Sequence, residues 1–167
     1  ELHKNHTLMS NKVQFSSMGD REIVITRSFN APRALVFDAM SKAEMMKQWF
    51  HGAPGWTLST CEIDLRVGGR YRWVWTNDAG DEMGMGGEYK EVKRPERIVS
   101  TEKFDQAWYP GEAVSTLELS DQGKQTLMTL TVQYESKAAR DGVLAVPMES
   151  EMEFGYQRLD HYLAQQH

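Results

Sequence analysis

The chain has 167 residues, of which 40% are hydrophobic and 26% are charged, and its formal net charge is -5. This length suits one domain with a single core, and the composition excludes a disordered or fibrous chain. The net negative charge argues against sequence-independent binding to nucleic acid or to an anionic membrane. No apolar run reaches the roughly 18–20 residues that a membrane span needs, so we predict a cytoplasmic protein with no membrane insertion.

Cysteine and histidine usage gives little sign of metal or redox chemistry. The single cysteine, Cys61, excludes an intrachain disulfide and fits a reducing compartment. The five histidines are scattered, without H-x-x-x-H or H-E-x-x-H spacing, so we predict neither a metal site nor a cofactor. Residues 1–19 are polar and aperiodic, and we expect them to form a flexible segment ahead of a single domain over residues 20–167.

The first predicted elements are a strand and two short helices. β-Branched residues predict the strand over 21–29. Pro32 suits the first turn of a helix, and Asn30 is a candidate cap for it. A second short helix is predicted over 43–50.

From residue 56 to residue 134 the chain alternates apolar and polar residues between turn signals, which predicts a meander of six antiparallel strands. We place these strands at 57–66, 69–77, 83–92, 97–104, 113–120 and 126–135. Residues 84–87 contain three glycines but lie inside a predicted strand, so they indicate a bulge or a close backbone approach rather than a phosphate loop.

The C-terminal part of the chain predicts a short helical turn and then a long amphipathic helix. Ser136 to Gly142 resembles a capped turn, and the helix runs from Pro147 to Gln166. Its apolar stripe consists of residues spaced by three or four: Leu144, Met148, Met152, Tyr156, Leu159 and Leu163. One face of this helix therefore needs an apolar partner.

The segment 61–75 carries the most distinctive pattern, a hairpin that turns at Gly68-Gly69. Successive side chains alternate across a strand, so aromatic residues share one face of the hairpin and arginines the other. The aromatic face consists of Tyr71, Trp73 and Trp75, and the basic face includes Arg70 and Arg72. The same alternation predicts further inward-facing residues: Cys61, Ile63, Leu65, Ile98, Ser100, Glu102, Phe104, Ser115, Leu117, Leu119, Met128, Leu130, Val132 and Tyr134.

The aromatic face of the sheet and the apolar stripe of the helix can bury each other. A twisted antiparallel sheet of about seven strands, curved around the long C-terminal helix, satisfies both. The predicted class is therefore α+β, with two short helices after the first strand.

Several of these segments also resemble a known family. The runs CEIDLRVGGRYRWVW and MGGEYKEVKRPERIVSTEKF, then SKAARDG and the helical YQRLDHYL, are similar to the bacterial branch of the activator of Hsp90 ATPase homologue-like family. The resemblance spans residues 21–163 and implies the helix-grip fold of the START-like (SRPBCC, Bet v-like) superfamily. It also implies a hydrophobic cavity between the C-terminal helix and the sheet.

The candidate ligand-binding residues line the space that the resemblance implies. They are Trp49, Phe50 and Trp56 at the mouth, Tyr71, Trp73, Trp75, Ser100, Glu102 and Phe104 on the sheet, and Met148, Met152 and Tyr156 on the helix. Glu102 is the candidate polar anchor, because burial raises the pKa of a carboxyl group. The alternative is that the same side chains simply fill a core, with Glu102 in solvent.

Three functions follow as hypotheses. The first is a binding protein whose partner is a small hydrophobic or aromatic molecule. The second is a cyclase-, aromatase- or hydrolase-like enzyme in which Glu102 or His51 moves a proton in the same cavity, although no residue is assigned as catalytic. The third, implied by the family resemblance alone, is an interaction protein with a chaperone partner. A homodimer is compatible with all three.

Overall fold

A computed structural model describes residues 10–107 and 109–166. Eight strands form one antiparallel sheet in the order β1-β2-β8-β7-β6-β5-β4-β3. The strands are β1 Gln14–Met18, β2 Glu22–Phe29, β3 Trp56–Ile63, β4 Arg70–Asn77, β5 Glu82–Lys93, β6 Arg97–Phe104, β7 Ala113–Gln122 and β8 Gln125–Gln133. The helices are α1 Arg33–Ala39, α2 Ala43–Met46, α3 Lys137–Leu144 and α4 Glu149–Gln166. The predicted helix-grip architecture is confirmed, with one more strand than expected.

The additional strand corrects the expectation for the N-terminal segment. Residues 14–18 form β1, which pairs antiparallel with β2 from Gln14 opposite Thr26 to Met18 opposite Glu22. The sequence did not predict β1 because this edge strand is short and only partly buried, so its alternation of apolar and polar residues is weak. The ordered fold therefore begins before residue 20, whereas residues 1–9 of the segment lie outside the described residues.

Local features explain where the helices begin. Ser136 caps α3, and its side chain accepts a hydrogen bond from the Ala139 amide, as the capped turn predicted. The cap assigned to Asn30 is wrong, since α1 starts after Pro32 with no side-chain cap. Asn30 Oδ1 instead accepts from Gln125 Nε2 at 2.6 Å, which ties the end of β2 to the start of β8.

The helix stripe predicted from the sequence is correct at its centre and wrong at its start. Tyr156, Leu159 and Leu163 are buried against the sheet. Leu144 does not belong to the stripe, because it ends α3 and is 41% exposed. Within the described residues, no helix is both long enough and apolar enough to cross a membrane.

A buried ion cluster fixes α4 on the sheet. Arg27, only 1% exposed, points inward from β2 and donates to both carboxylate oxygens of Glu153, at 3.0 and 2.9 Å. It also donates to both carboxylate oxygens of Asp160, at 2.8 and 2.7 Å. Its guanidinium lies against the rings of Phe29 and Tyr156. Burial opposes the charge of Arg27, but the hydrogen bonds that Arg27 donates to the two carboxylates outweigh it, and the pKa of Arg27 is raised.

Replacing Arg27 by Met should lower the free energy of unfolding by about 3 kcal/mol, because Glu153 is left as an unpaired, largely buried carboxylate. Urea denaturation measures the change. The matched control is Arg97→Met, since Arg97 is 36% exposed and also has two carboxylate partners, Glu91 and Glu118. That substitution should cost about 1 kcal/mol or less. Equal losses for the two variants would contradict a role for Arg27 in holding the helix.

Candidate functional site

A cavity of about 300 Å³ lies between α4 and the concave face of the sheet. Its wall is mainly aromatic and aliphatic, with few polar groups. The lining residues are Phe15, Ile23, Ile25, Met40, Met46, Trp49, Phe50, Tyr71, Trp73, Trp75, Met85, Tyr89, Ile98, Ser100, Glu102, Phe104, Tyr109, Ser115, Leu117, Met128, Leu130, Val132, Tyr134, Val143, Met148, Met152 and Tyr156. The side chains of this region therefore do not fill it completely.

The hollow arises from small side chains at the centre of the sheet. Ser100 of β6 lies opposite Ser115 of β7, and Glu102 lies opposite Ala113. Three of these four residues are too short to reach α4, whereas an inward Leu or Phe at the same positions would occupy the space. The alternation of side chains predicted from the sequence places Ser100, Glu102 and Ser115 inward, and all three line the cavity.

The carboxyl group of Glu102 is the one acidic group among the described lining residues. Burial raises the pKa of Glu102 to about 7. Within the described residues, no lysine, arginine or histidine forms an ion pair with Glu102, whereas Glu153 and Asp38 are each paired with an arginine. The group can therefore accept or release a proton near neutral pH, and it can bind a donor that the protein does not supply.

Three tyrosines surround this carboxyl group. Burial, and then the charge of Glu102, raise the pKa values of Tyr71, Tyr109 and Tyr134. All three hydroxyl groups are therefore neutral at physiological pH. The rings of Tyr109 and Tyr134 meet edge to face, with centroids 5.2 Å apart. This end of the cavity combines an acid with aromatic faces and hydroxyl dipoles.

The side chain of Tyr71 is held by a hydrogen bond to the backbone of β6. Its hydroxyl group donates to the Thr101 carbonyl oxygen at 2.7 Å. Tyr71 pairs with Gly87 of β5, and a Cβ at Gly87 would collide with that same carbonyl oxygen. The close backbone approach predicted for the glycine-rich run is thus confirmed at Gly87, where only glycine fits.

A further group of rings continues the wall from Tyr71, whose ring centroid lies 4.6 Å from that of Trp73. The ring of Phe50 packs edge to face on Trp73 and Trp75, with centroids 4.9 and 5.3 Å away. The indole N–H of Trp75 donates to the Phe50 carbonyl oxygen at 3.0 Å, and that of Trp49 donates to the Ala39 carbonyl oxygen at 2.9 Å. The buried Trp73 Nε1 has no hydrogen-bond partner in the described part of the chain.

Eleven of the twelve predicted site residues line the cavity, and Trp56 does not. Trp56 opens β3 and packs, half-buried, on a separate cluster with Leu58 and Cys61. The placement of Trp56 at the cavity mouth is therefore wrong. A register shift between Leu58 and Thr60, which the sequence pattern did not reveal, places both Leu58, opposite Trp75, and Cys61, opposite Trp73, on the inner face of β3.

His51, the alternative proton carrier, is not among the lining residues. Its Nδ1 accepts a hydrogen bond from the Leu58 amide at 3.1 Å. Burial, and then the charge of Arg158, lower the pKa of His51, so the ring is neutral. His51 therefore braces the loop before β3.

Sequence reasoning missed several lining residues for different reasons. Tyr89 lies four residues after Met85 and on the same face of β5, so strand periodicity could have found it. Phe15 lies in the N-terminal segment predicted to be flexible, and Tyr109 lies in an irregular stretch without periodicity. Across the residues that the structure describes, no cluster of three or more His, Cys, Asp or Glu side chains is arranged to hold a metal ion.

The fold and the cavity define a START-like, helix-grip protein. Residues 30–164 match the family model "Activator of Hsp90 ATPase homolog 1-like protein". This match covers most of the chain, and the protein belongs to that family. No curated protein matches the chain.

Solved structures agree with this assignment. A protein from Rhodobacter sphaeroides superimposes with a TM-score of 0.87 and 29% identity, covering 92% of this chain and 99% of that one. A protein from Chromobacterium violaceum gives a TM-score of 0.68 and 27% identity, with coverages of 87% and 96%. An HSP90 activator from Plasmodium falciparum gives a TM-score of 0.55 and 25% identity, with coverages of 75% and 83%.

The pKa of Glu102 leads to a prediction about stability. Because this pKa is raised from 4.5 to about 7, the folded protein holds a proton that the unfolded chain releases between these values. The free energy of unfolding attributable to Glu102 is therefore lost as pH rises through this window, by about 3 kcal/mol in total. Glu102→Gln removes the titration, so its stability relative to the native protein should increase by about that amount between pH 4.5 and pH 8.

Urea denaturation at a series of pH values tests this expectation. The control is Glu82→Gln, an exposed carboxylate on β5. A stability difference for Glu102→Gln that stays constant with pH would show that Glu102 titrates as an ordinary carboxyl group.

Proposed function

We propose that this protein binds a compact apolar or aromatic small molecule in the cavity between α4 and the sheet. The observation that carries the proposal is the hollow itself, in which the Glu102 carboxyl has no ion-pair partner among the residues that the structure describes. Its volume of about 300 Å³ would hold about ten waters at roughly 30 Å³ each. Most of its wall is apolar, so replacing such water by apolar ligand surface is favourable, at about 25 cal/mol per Å².

The polar groups of the wall support a ligand with its own polar atoms. Buried polar atoms in folded proteins almost always have a hydrogen-bond partner. Glu102 lines the cavity, so its carboxyl group can accept a hydrogen bond from a ligand there. A ligand with a donor at that position would be held in one orientation, whereas a featureless hydrocarbon would not.

A route into the cavity supports the same proposal. A second hollow of about 300 Å³ adjoins the first and shares the lining residues Phe15, Ile23, Val143 and Met148 with it. Its rim includes Leu144 and Val146, each 41% exposed. Apolar residues exposed beside a cavity are typical of a ligand entrance. The ligand would therefore pass between β1 and the connection from α3 to α4.

A cavity-filling substitution tests ligand binding. Ser115→Phe should place a ring in the hollow and abolish binding of the neutral aromatic dye phenylnaphthylamine, measured by its fluorescence. The matched control is Thr116→Phe, the neighbouring residue of β7 on the opposite face, and it should bind the dye normally. Thermal melting confirms that both variants fold. Unchanged dye binding by folded Ser115→Phe, or no binding of any aromatic probe by the native protein, would exclude the cavity as the site.

A second candidate function is stimulation of a chaperone ATPase. It is supported by the family and by the fold shared with the HSP90 activator from Plasmodium falciparum. If the protein acts in this way, adding it to a purified Hsp90 should raise the rate of ATP hydrolysis, and Ser115→Phe should retain that effect because its outer surface is unchanged. An unchanged ATPase rate together with no association in a sedimentation assay would remove this candidate.

A further inference from the structure

We propose that the ligand is a compact aromatic amine, whose ammonium group pairs with Glu102 among the rings of Tyr71, Tyr109 and Tyr134. This inference depends on the proposed function, because it specifies the chemistry of a ligand in the same cavity. It follows from the charge, the aromatic content and the size of the site.

The described cavity wall contains an acidic group and no basic group. Among the described lining residues there is one carboxyl group and no lysine, arginine or histidine. The most deeply buried cation of the described residues, Arg27, lies outside the lining and is already paired with Glu153 and Asp160. An anionic ligand would therefore bring a second negative charge beside Glu102 with nothing to neutralise it. A cationic ligand would supply the missing partner.

The rings around Glu102 suit an ammonium group. Aromatic faces attract cations, and the attraction is stronger where water is excluded. Tyr71, Tyr109 and Tyr134 line the cavity with Glu102, whose charge adds to burial in raising their pKa values. An ammonium group beside the carboxylate would therefore lie close to aromatic rings. The adjoining rings of Phe50, Trp73 and Trp75 would pack against the planar ring of the ligand.

The size of the cavity restricts the ligand. About 300 Å³ is at the lower end of the range of small-molecule sites, which is roughly 300–1,000 Å³. One or two fused rings with a short side chain fit this space, whereas a two-chain lipid does not. An amine-bearing bicyclic molecule therefore satisfies all three constraints.

Three probes of matched shape test the charge preference: naphthylethylamine, naphthylethanol and naphthylacetate. Titration calorimetry at pH 8 should show that the amine binds at least about tenfold more tightly than the alcohol and the acid. Glu102→Gln should weaken the amine by about tenfold and leave the alcohol unchanged. Glu82→Gln, which removes the same charge from the exposed end of β5, should leave all three affinities unchanged.

The affinity for the amine should also depend on pH. The titratable groups that face Glu102 are Tyr71 of β4, Tyr109 of the loop before β7 and Tyr134 after β8, and their raised pKa values keep them neutral below pH 9. Only Glu102 therefore changes charge near neutrality. The amine should bind up to about tenfold more weakly at pH 6 than at pH 8, since about a tenth of Glu102 is ionised one unit below its pKa.

Three results would overturn the inference and leave the proposed function intact. One is an alcohol or acid that binds the native protein as tightly as the amine. Another is phenylnaphthylamine binding without any binding of naphthylethylamine. An amine affinity that Glu102→Gln does not change, with alcohol binding showing that the variant is folded, would also overturn it. No binding of any aromatic probe would overturn both proposals.

Discussion

The contact between Arg27 and the C-terminal helix determines the shape of this protein. A single guanidinium from β2 holds two carboxylates of α4, one on each side of Tyr156 in the helix. Because a buried cation without its partners is costly, the helix cannot slide or lift without losing several kcal/mol. The position of α4 above the sheet is therefore set by an ion cluster as well as by apolar packing.

The ion cluster of Arg27, Glu153 and Asp160 lies between the two ends of the interface between α4 and the sheet. Towards the C-terminus, Leu159 and Leu163 are buried in a filled core that also contains Val36 and Phe37 of α1. Towards the N-terminus of α4, Met148 and Met152 lie over the small side chains at the centre of the sheet, and a cavity remains. Stability and the proposed ligand binding thus depend on different parts of one helix, and the end that lines the cavity can stay hollow without loss of the fold.

The sequence predicted most of this arrangement because strand and helix periodicities report which face of an element is buried. Alternation placed Tyr71, Trp73 and Glu102 on the inner face correctly. It could not reach Tyr109, which lies in an irregular loop, and the wrong placement of Trp56 at the mouth did not depend on it. The volume of the cavity cannot be predicted from the sequence, since it depends on how far α4 stands from the sheet. The half-buried ring of Phe154 packs under the Arg158 guanidinium, whose central carbon lies 4.4 Å from the ring centroid.

The central claim is that a small molecule occupies the space between the helix and the sheet. Isotope-filtered nuclear Overhauser measurements on the complex with phenylnaphthylamine test it most directly, with the methionine methyl groups and the aromatic rings labelled. We predict contacts from one bound dye molecule to Met152 on α4 and to Trp73 and Tyr134 on the sheet, which only a ligand inside the cavity can make together. Contacts confined to exposed residues such as Met18 or Met83 would contradict the claim.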